Sequence, residues 1–72
     1  MPFIGVSPAY GKDYKTKKEL MEGYDAGHDF QIHDFNHPDY GRYINKQDHP
    51  VGTTLMVRHH KNMRQTPIEK RK

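Results

Sequence analysis

Apolar positions along this chain follow two different periods, and each period marks a different kind of element. "FIGV", residues 3–6, is a short apolar run closed by Ser7-Pro8 and Gly11, and it reads as a strand. Leu20, Met21 and Tyr24 then recur at helical spacing within "YKTKKELMEGYDAG". Thr16 stands before them with Glu19 three residues on, the pattern of a capping box. In that motif the Thr16 hydroxyl accepts from the Glu19 N–H, and the Glu19 carboxylate reaches back to the Thr16 N–H. Gly27 offers a left-handed stop, and Gly23 weakens the run from inside. The expected helix lies near residues 17–26, with Leu20, Met21 and Tyr24 facing a core.

Beyond residue 28 the period drops to two. Phe30 and Ile32 alternate with Gln31 and His33, so a half-buried strand is expected with His33 pointing away from the core. Asn36, Pro38, Asp39 and Gly41 make a turn. "RYIN" returns with Tyr43 and Ile44, and "KQDHPVG" turns again. "TTLMVRHH" is the strongest strand signal: Leu55 and Val57 on one face, Thr54, Met56, Arg58 and His60 on the other. "KNM" closes a hairpin through Asn62, and Pro67 confines "RQTPIE" to a sheet edge. The pattern predicts a small α+β domain over residues 1–69: one helix packed on an antiparallel sheet of three to five strands. Residues 70–72, "KRK", are expected to be a disordered basic tail.

Composition narrows what such a domain can do. With 72 residues and 32% hydrophobic content, the core is near the lower limit for independent stability. A cavity holding a substrate and a catalytic shell is not expected in so thin a core, whereas an oligomer or a partner would relieve the shortage. The chain has no cysteine, hence no disulfide and no thiolate metal site. "MPFIGVSPAYG" lacks a basic leader and is too short an apolar run to span a membrane. The expectation is a soluble cytoplasmic protein.

Charge is unevenly spread. Residues 1–57 carry six Lys/Arg and eight Asp/Glu, near −2, whereas residues 58–72 carry six Lys/Arg against Glu69, near +5. A basic end on a slightly acidic body suits an anionic partner, although a solvated tail has the same composition.

"HDFQIHDFNHPDYGRYINKQDHP", residues 28–50, concentrates four of the six histidines and four aspartates. His28, His33 and His37 are five and four residues apart. Extended, they span roughly 30 Å at the strand rise of about 3.3 Å per residue, so they do not converge on one tetrahedral ion. His33 and His37 meet only if the chain folds back at Pro38, with Asp34 or Asp39 as a third ligand. No resident metal or other cofactor is expected. Nor is catalysis: Ser7 is the single serine, and none of Thr16, Thr53, Thr54 and Thr66 sits in a nucleophile elbow. Asp34, Asn36, Asp39 and Gly41 read as turn chemistry, and the histidines as mostly exposed polar positions.

"GRYINKQDHPVGTTLMVRHHK" points elsewhere. If its two strands pair, Arg42, Tyr43, Lys46, Arg58, His60 and Lys61 share a neighbourhood, with Arg64 just beyond. Cations neutralise phosphates and aromatic rings stack on unpaired bases. These seven residues are the candidate nucleic-acid contacts, with DNA placed ahead of RNA. A plain solvated sheet also carries such residues, and no helix-turn-helix, zinc finger or ribonucleoprotein motif is present.

The segments "GVSPAYGKDY", "GRYINKQD" and "TLMVRHHK" resemble short uncharacterised proteins encoded by bacterial viruses. That resemblance implies a setting, the cytoplasm of an infected bacterium, and transfers no active site. Two expectations stand together. One is a non-enzymatic accessory protein binding nucleic acid through a basic, aromatic sheet face and a basic C-terminal end. The other is a protein-binding module, an inhibitor of a host factor or a virion component, acting through an edge strand or an oligomer interface.

Overall fold

The computed structural model describes residues 2–59 and 64–69. Six elements follow in order: β1 (Phe3–Pro8), α1 (Lys17–Asp25), β2 (Phe30–Ile32), β3 (Tyr43–Ile44), β4 (Thr54–Arg58) and β5 (Gln65–Glu69). The strands form one five-stranded sheet in the order β3-β2-β1-β4-β5. Helix and sheet together make a small α+β domain. The hairpin turn expected at "KNM" and the tail at "KRK" lie outside the described residues.

The expected antiparallel sheet is in fact mixed. β1 runs parallel to β4, while β1–β2, β2–β3 and β4–β5 are antiparallel. A period of two assigns each side chain to a face but does not name the neighbouring strand. β1 takes the centre, where both of its edges are hydrogen-bonded and Val6 is sealed from solvent. A consequence is that "RYIN" and "TTLMVRHH" do not pair: β2 and β1 lie between β3 and β4.

The register aligns the apolar positions into rows on one face. Ile32 pairs with Val6 and Val6 with Val57; Ile4 pairs with Leu55 and Leu55 with Ile68; Ile44 pairs with Phe30. Tyr14, Leu20 and Tyr24 join these residues in a single buried cluster, with Met21 packed at its margin. Each fully buried aliphatic or phenyl side chain here contributes about 1.5–3 kcal/mol.

Helix α1 starts as the capping pattern expects. The Glu19 N–H donates to the Thr16 hydroxyl oxygen at 3.1 Å. The reciprocal bond differs by one residue, since the Glu19 carboxylate accepts from the N–H of Lys15, not of Thr16, at 2.9 Å. At the other end Ala26 caps the helix and Gly27 follows with φ +89°. The Gly27 N–H donates to the Tyr24 carbonyl and the His28 N–H to the Gly23 carbonyl, both at 3.0 Å. This pair of bonds is the Schellman closure, which needs a left-handed residue at Gly27. Gly23, unfavourable by propensity, has a packing reason. A Cβ there would lie 2.7 Å from each of three side-chain atoms of Tyr14 and His28.

β5 is an edge strand, as Pro67 predicts. Proline has no N–H, so it is tolerated where that donor would face away from the partner strand. The outer edge of β5 therefore lacks a donor at its midpoint, and β3, the opposite edge, has only two residues.

Candidate nucleic-acid interface

The five described histidines divide between the two faces of the sheet, and none of them is fully exposed. His49 is 1% exposed and His59 3%, which corrects the expectation of mostly exposed positions. His49 Nε2 contacts the Thr53 carbonyl oxygen, so that nitrogen carries the proton. Its Nδ1 then accepts from the Tyr24 hydroxyl at 2.8 Å. His59 Nδ1 donates to the Tyr14 carbonyl at 3.1 Å, and its Nε2 lies 3.0 Å from the Thr66 hydroxyl. His28 Nδ1 is 2.7 Å from the Tyr14 hydroxyl, with the two rings stacked. Burial pushes the Tyr14 phenol above its ordinary 10.0. The Tyr24 phenol is raised too, first by burial and then by the charge of neighbouring Asp25. These pairs satisfy polar groups that the helix and the sheet enclose. Among the described residues, no three His, Asp or Glu side chains are placed to hold a metal ion.

The face of the sheet away from α1 is different. Phe3, Gly5 and Ser7 of β1 alternate with the core positions, as do Gln31, Tyr43, Met56 and Arg58 on their strands. His33 continues this face beyond β2, pointing away from Phe30 and Ile32 as expected. Its N–H donates to the Gly5 carbonyl at 3.1 Å, and its Nδ1 lies 2.7 Å from the Ser7 hydroxyl. An imidazole beside a hydroxyl is one part of an acyl-transfer centre. Ser7, however, is 9% exposed and takes no part in lining the adjacent cleft, so its hydroxyl anchors the ring.

The loop after β2 rises over this face. The Asp34 carboxylate accepts from the Asn36 N–H, and the Asp34 carbonyl from the His37 N–H, each at 3.0 Å. His37 Nδ1 accepts from the Asp39 N–H at 3.0 Å, and the Gly41 N–H returns to the Ile32 carbonyl at 2.8 Å. Held in this way, the loop displays Phe35 and Tyr40 as a stacked pair, ring centroids 4.8 Å apart. Phe35 is 83% exposed and Phe3 64%. Between loop and sheet lies an open cleft of about 470 Å³, whose lining includes the apolar Phe3, Phe35 and Met56 together with Gly5, His33 and Arg58.

The seven sequence-derived candidates separate on this framework. Arg58 lines the cleft. Tyr43 lies on the same sheet face but on the β3 edge, three strand spacings from β4, or roughly 14 Å. Arg42 is exposed and pairs with Asp39 at 3.6 Å. Lys46 pairs with Asp25, at the end of α1, also at 3.6 Å, which draws it to the helix side. Both pairs are solvent-exposed and worth no more than about 1 kcal/mol. Arg64 is exposed just before β5, and its carbonyl accepts from the His59 N–H at 2.8 Å. His60 and Lys61 lie outside the described residues. The expected cluster on two adjacent strands is thus replaced by a wider face with Tyr43 at one side and Arg58 at the other. Sequence reasoning missed Phe3 and Phe35, and it placed His33 and Met56 on the outward face without assigning them to this site. The alternation of Phe3 with Ile4 was the available signal for the first of these.

No protein-family model, curated protein or solved structure matches the chain. No helix among the described residues is long and apolar enough to cross a membrane.

Proposed function

We propose that the helix-free sheet face binds single-stranded nucleic acid, DNA before RNA, in a non-enzymatic accessory role. The observation that carries this reading is the display of Phe3, Phe35 and Tyr43 in solvent on the same side of the molecule as Arg58. Aromatic rings on an open sheet stack unpaired bases, each worth about 1–3 kcal/mol, while cations track the phosphates. The hydrogen-bonded loop holds Phe35 in place before a ligand arrives, which lowers the ordering cost of binding. The basic segment 58–72 adds long-range attraction for a polyanion. The setting we propose is the one its sequence resemblance implies, a bacterial virus protein in the host cytoplasm. A protein partner added along a sheet edge is the weaker reading, because Pro67 interrupts the donors of one edge and the other is two residues long.

Fluorescence anisotropy of a labelled single-stranded oligonucleotide tests the proposal. Saturable binding is expected, with log affinity falling linearly in log salt. Arg58→Glu should reduce affinity at least tenfold, and Tyr43→Ala by a smaller factor. Absence of binding even at low salt would remove the nucleic-acid reading and return attention to a protein partner.

A further inference from the structure

The cleft carries two opposite charges that do not meet. Arg58 and Asp34 both line it, and neither has an ion-pair partner among the described residues. A groove built only to follow a polyphosphate would not keep a carboxylate, since like charges repel. Beyond the Asn36 N–H that it already accepts from, the Asp34 carboxylate either faces water or reads a hydrogen-bond donor on the ligand. An ionised carboxylate is acceptor-only and has two oxygens side by side. Its match on an unpaired base is an edge with two adjacent donors. Guanine offers that edge, N1–H beside N2–H₂. Adenine and cytosine each offer one amino group beside acceptors, and thymine and uracil one N–H between two carbonyls. Phe3 and Phe35 add flat apolar walls that suit a planar ring over a zwitterion or a sugar.

Resting on the nucleic-acid reading above, we propose that this cleft holds one unpaired guanine. Its Watson–Crick edge lies on the Asp34 carboxylate, its ring against Phe35, and its phosphate toward Arg58. The Asp34 carboxylate is already oriented by the Asn36 N–H at 3.0 Å, which leaves its remaining lone pairs for the base. Guanosine monophosphate and a guanine within a strand share this chemistry, and a direct comparison separates them.

The test uses labelled oligothymidylate in which one central residue is replaced by guanine, adenine or cytosine, titrated with the full chain. The guanine strand should bind about tenfold tighter than the others, the lower range for a bidentate pair. Asp34→Asn retains a side-chain oxygen for the Asn36 N–H, so the loop persists, but it exchanges an acceptor for a donor. In that variant the guanine preference should fall to within twofold, with the far-ultraviolet spectrum and melting temperature confirming the fold. Guanosine monophosphate that competes at the concentration of the guanine strand identifies the free nucleotide as sufficient; competition only by the strand identifies the polymer. Both results uphold the guanine site. Equal affinity for the three substituted strands and for unsubstituted oligothymidylate overturns it while leaving the nucleic-acid reading intact. No binding to any strand overturns both.

Discussion

The two faces of this sheet use aromatic side chains for opposite purposes. Beneath α1, Phe30 is sealed from solvent, and Tyr14 and Tyr24 are nearly so. Their rings lie 6.3 and 6.4 Å from that of Phe30, and their hydroxyls are matched to histidine nitrogens. On the other face, Phe3 and Phe35 stand in water and the nearby hydrogen bonds fix the backbone instead. The first arrangement maximises burial and leaves no enclosed side-chain polar atom unpaired among the described residues. The second forgoes burial in a chain with little apolar surface to spare, and the proposed binding face rests on that exposure.

Truncating one phenyl group on each face gives the largest contrast. Phe30→Ala should cost about 3–5 kcal/mol, enough to leave so small a domain largely unfolded at room temperature. Phe3→Ala should change stability by no more than about 0.5 kcal/mol, while weakening oligonucleotide binding severalfold. Urea denaturation with an anisotropy titration separates the two effects. Equal stability losses would mean that Phe3 belongs to the core and that the open face is no binding surface.

A smaller perturbation sharpens the same contrast within the covered face. Gly23→Ala gains up to about 1 kcal/mol of helix propensity, yet its new methyl group would sit 2.7 Å from Tyr14 and His28 atoms. Overpacking of this kind costs about 1–3 kcal/mol, so a net loss is expected. A variant as stable as the parent would show that the Tyr14–His28 pair yields freely and holds little of the fold.

That glycine shows what the sequence can and cannot convey. The helix was legible because its signals are local: Thr16, Glu19 and Gly27 act within a few residues of the segment they bound. Strand faces were legible too, since alternation is local, and Pro67 marked its edge. Parallel pairing of β1 with β4 joins residues about fifty positions apart, such as Ile4 and Leu55, and nothing near either residue encodes it. The histidines failed for the same reason. His49 and His59 look like turn and surface residues until Tyr24, 25 positions away, and the Tyr14 carbonyl, 45 positions away, are brought against them. The candidate interface was half-visible. The side-chain chemistry of Tyr43 and Arg58 points to them, and both lie on the open face, but the cleft depends on a loop folding over β1, which periodicity does not describe.

The gentlest perturbation is alkaline pH, which on the covered face acts through Tyr14 and Tyr24. The Tyr14 and Tyr24 phenols have folded-state pKa values above their unfolded value of 10.0. A group whose pKa is raised on folding stabilises fully below its unfolded value, and that stability is lost as pH rises through the folded value. No contribution from these two residues should change between neutral pH and about 10, and stability should decline beyond it. The chemistry of the Tyr24 pair gives a reason. His49 Nδ1 needs a donor, and a phenolate has none to give. Melting temperature followed by circular dichroism from pH 7 upward should therefore stay level and then fall, in step with phenolate absorbance. In Tyr24→Phe the protein should melt lower at neutral pH, because His49 Nδ1 loses the hydroxyl that donates to it, and the alkaline decline should be shallower. An unchanged alkaline slope in that variant would mean that ionisation elsewhere drives the loss, and that the tyrosine–histidine pairing contributes little to what holds α1 on the sheet.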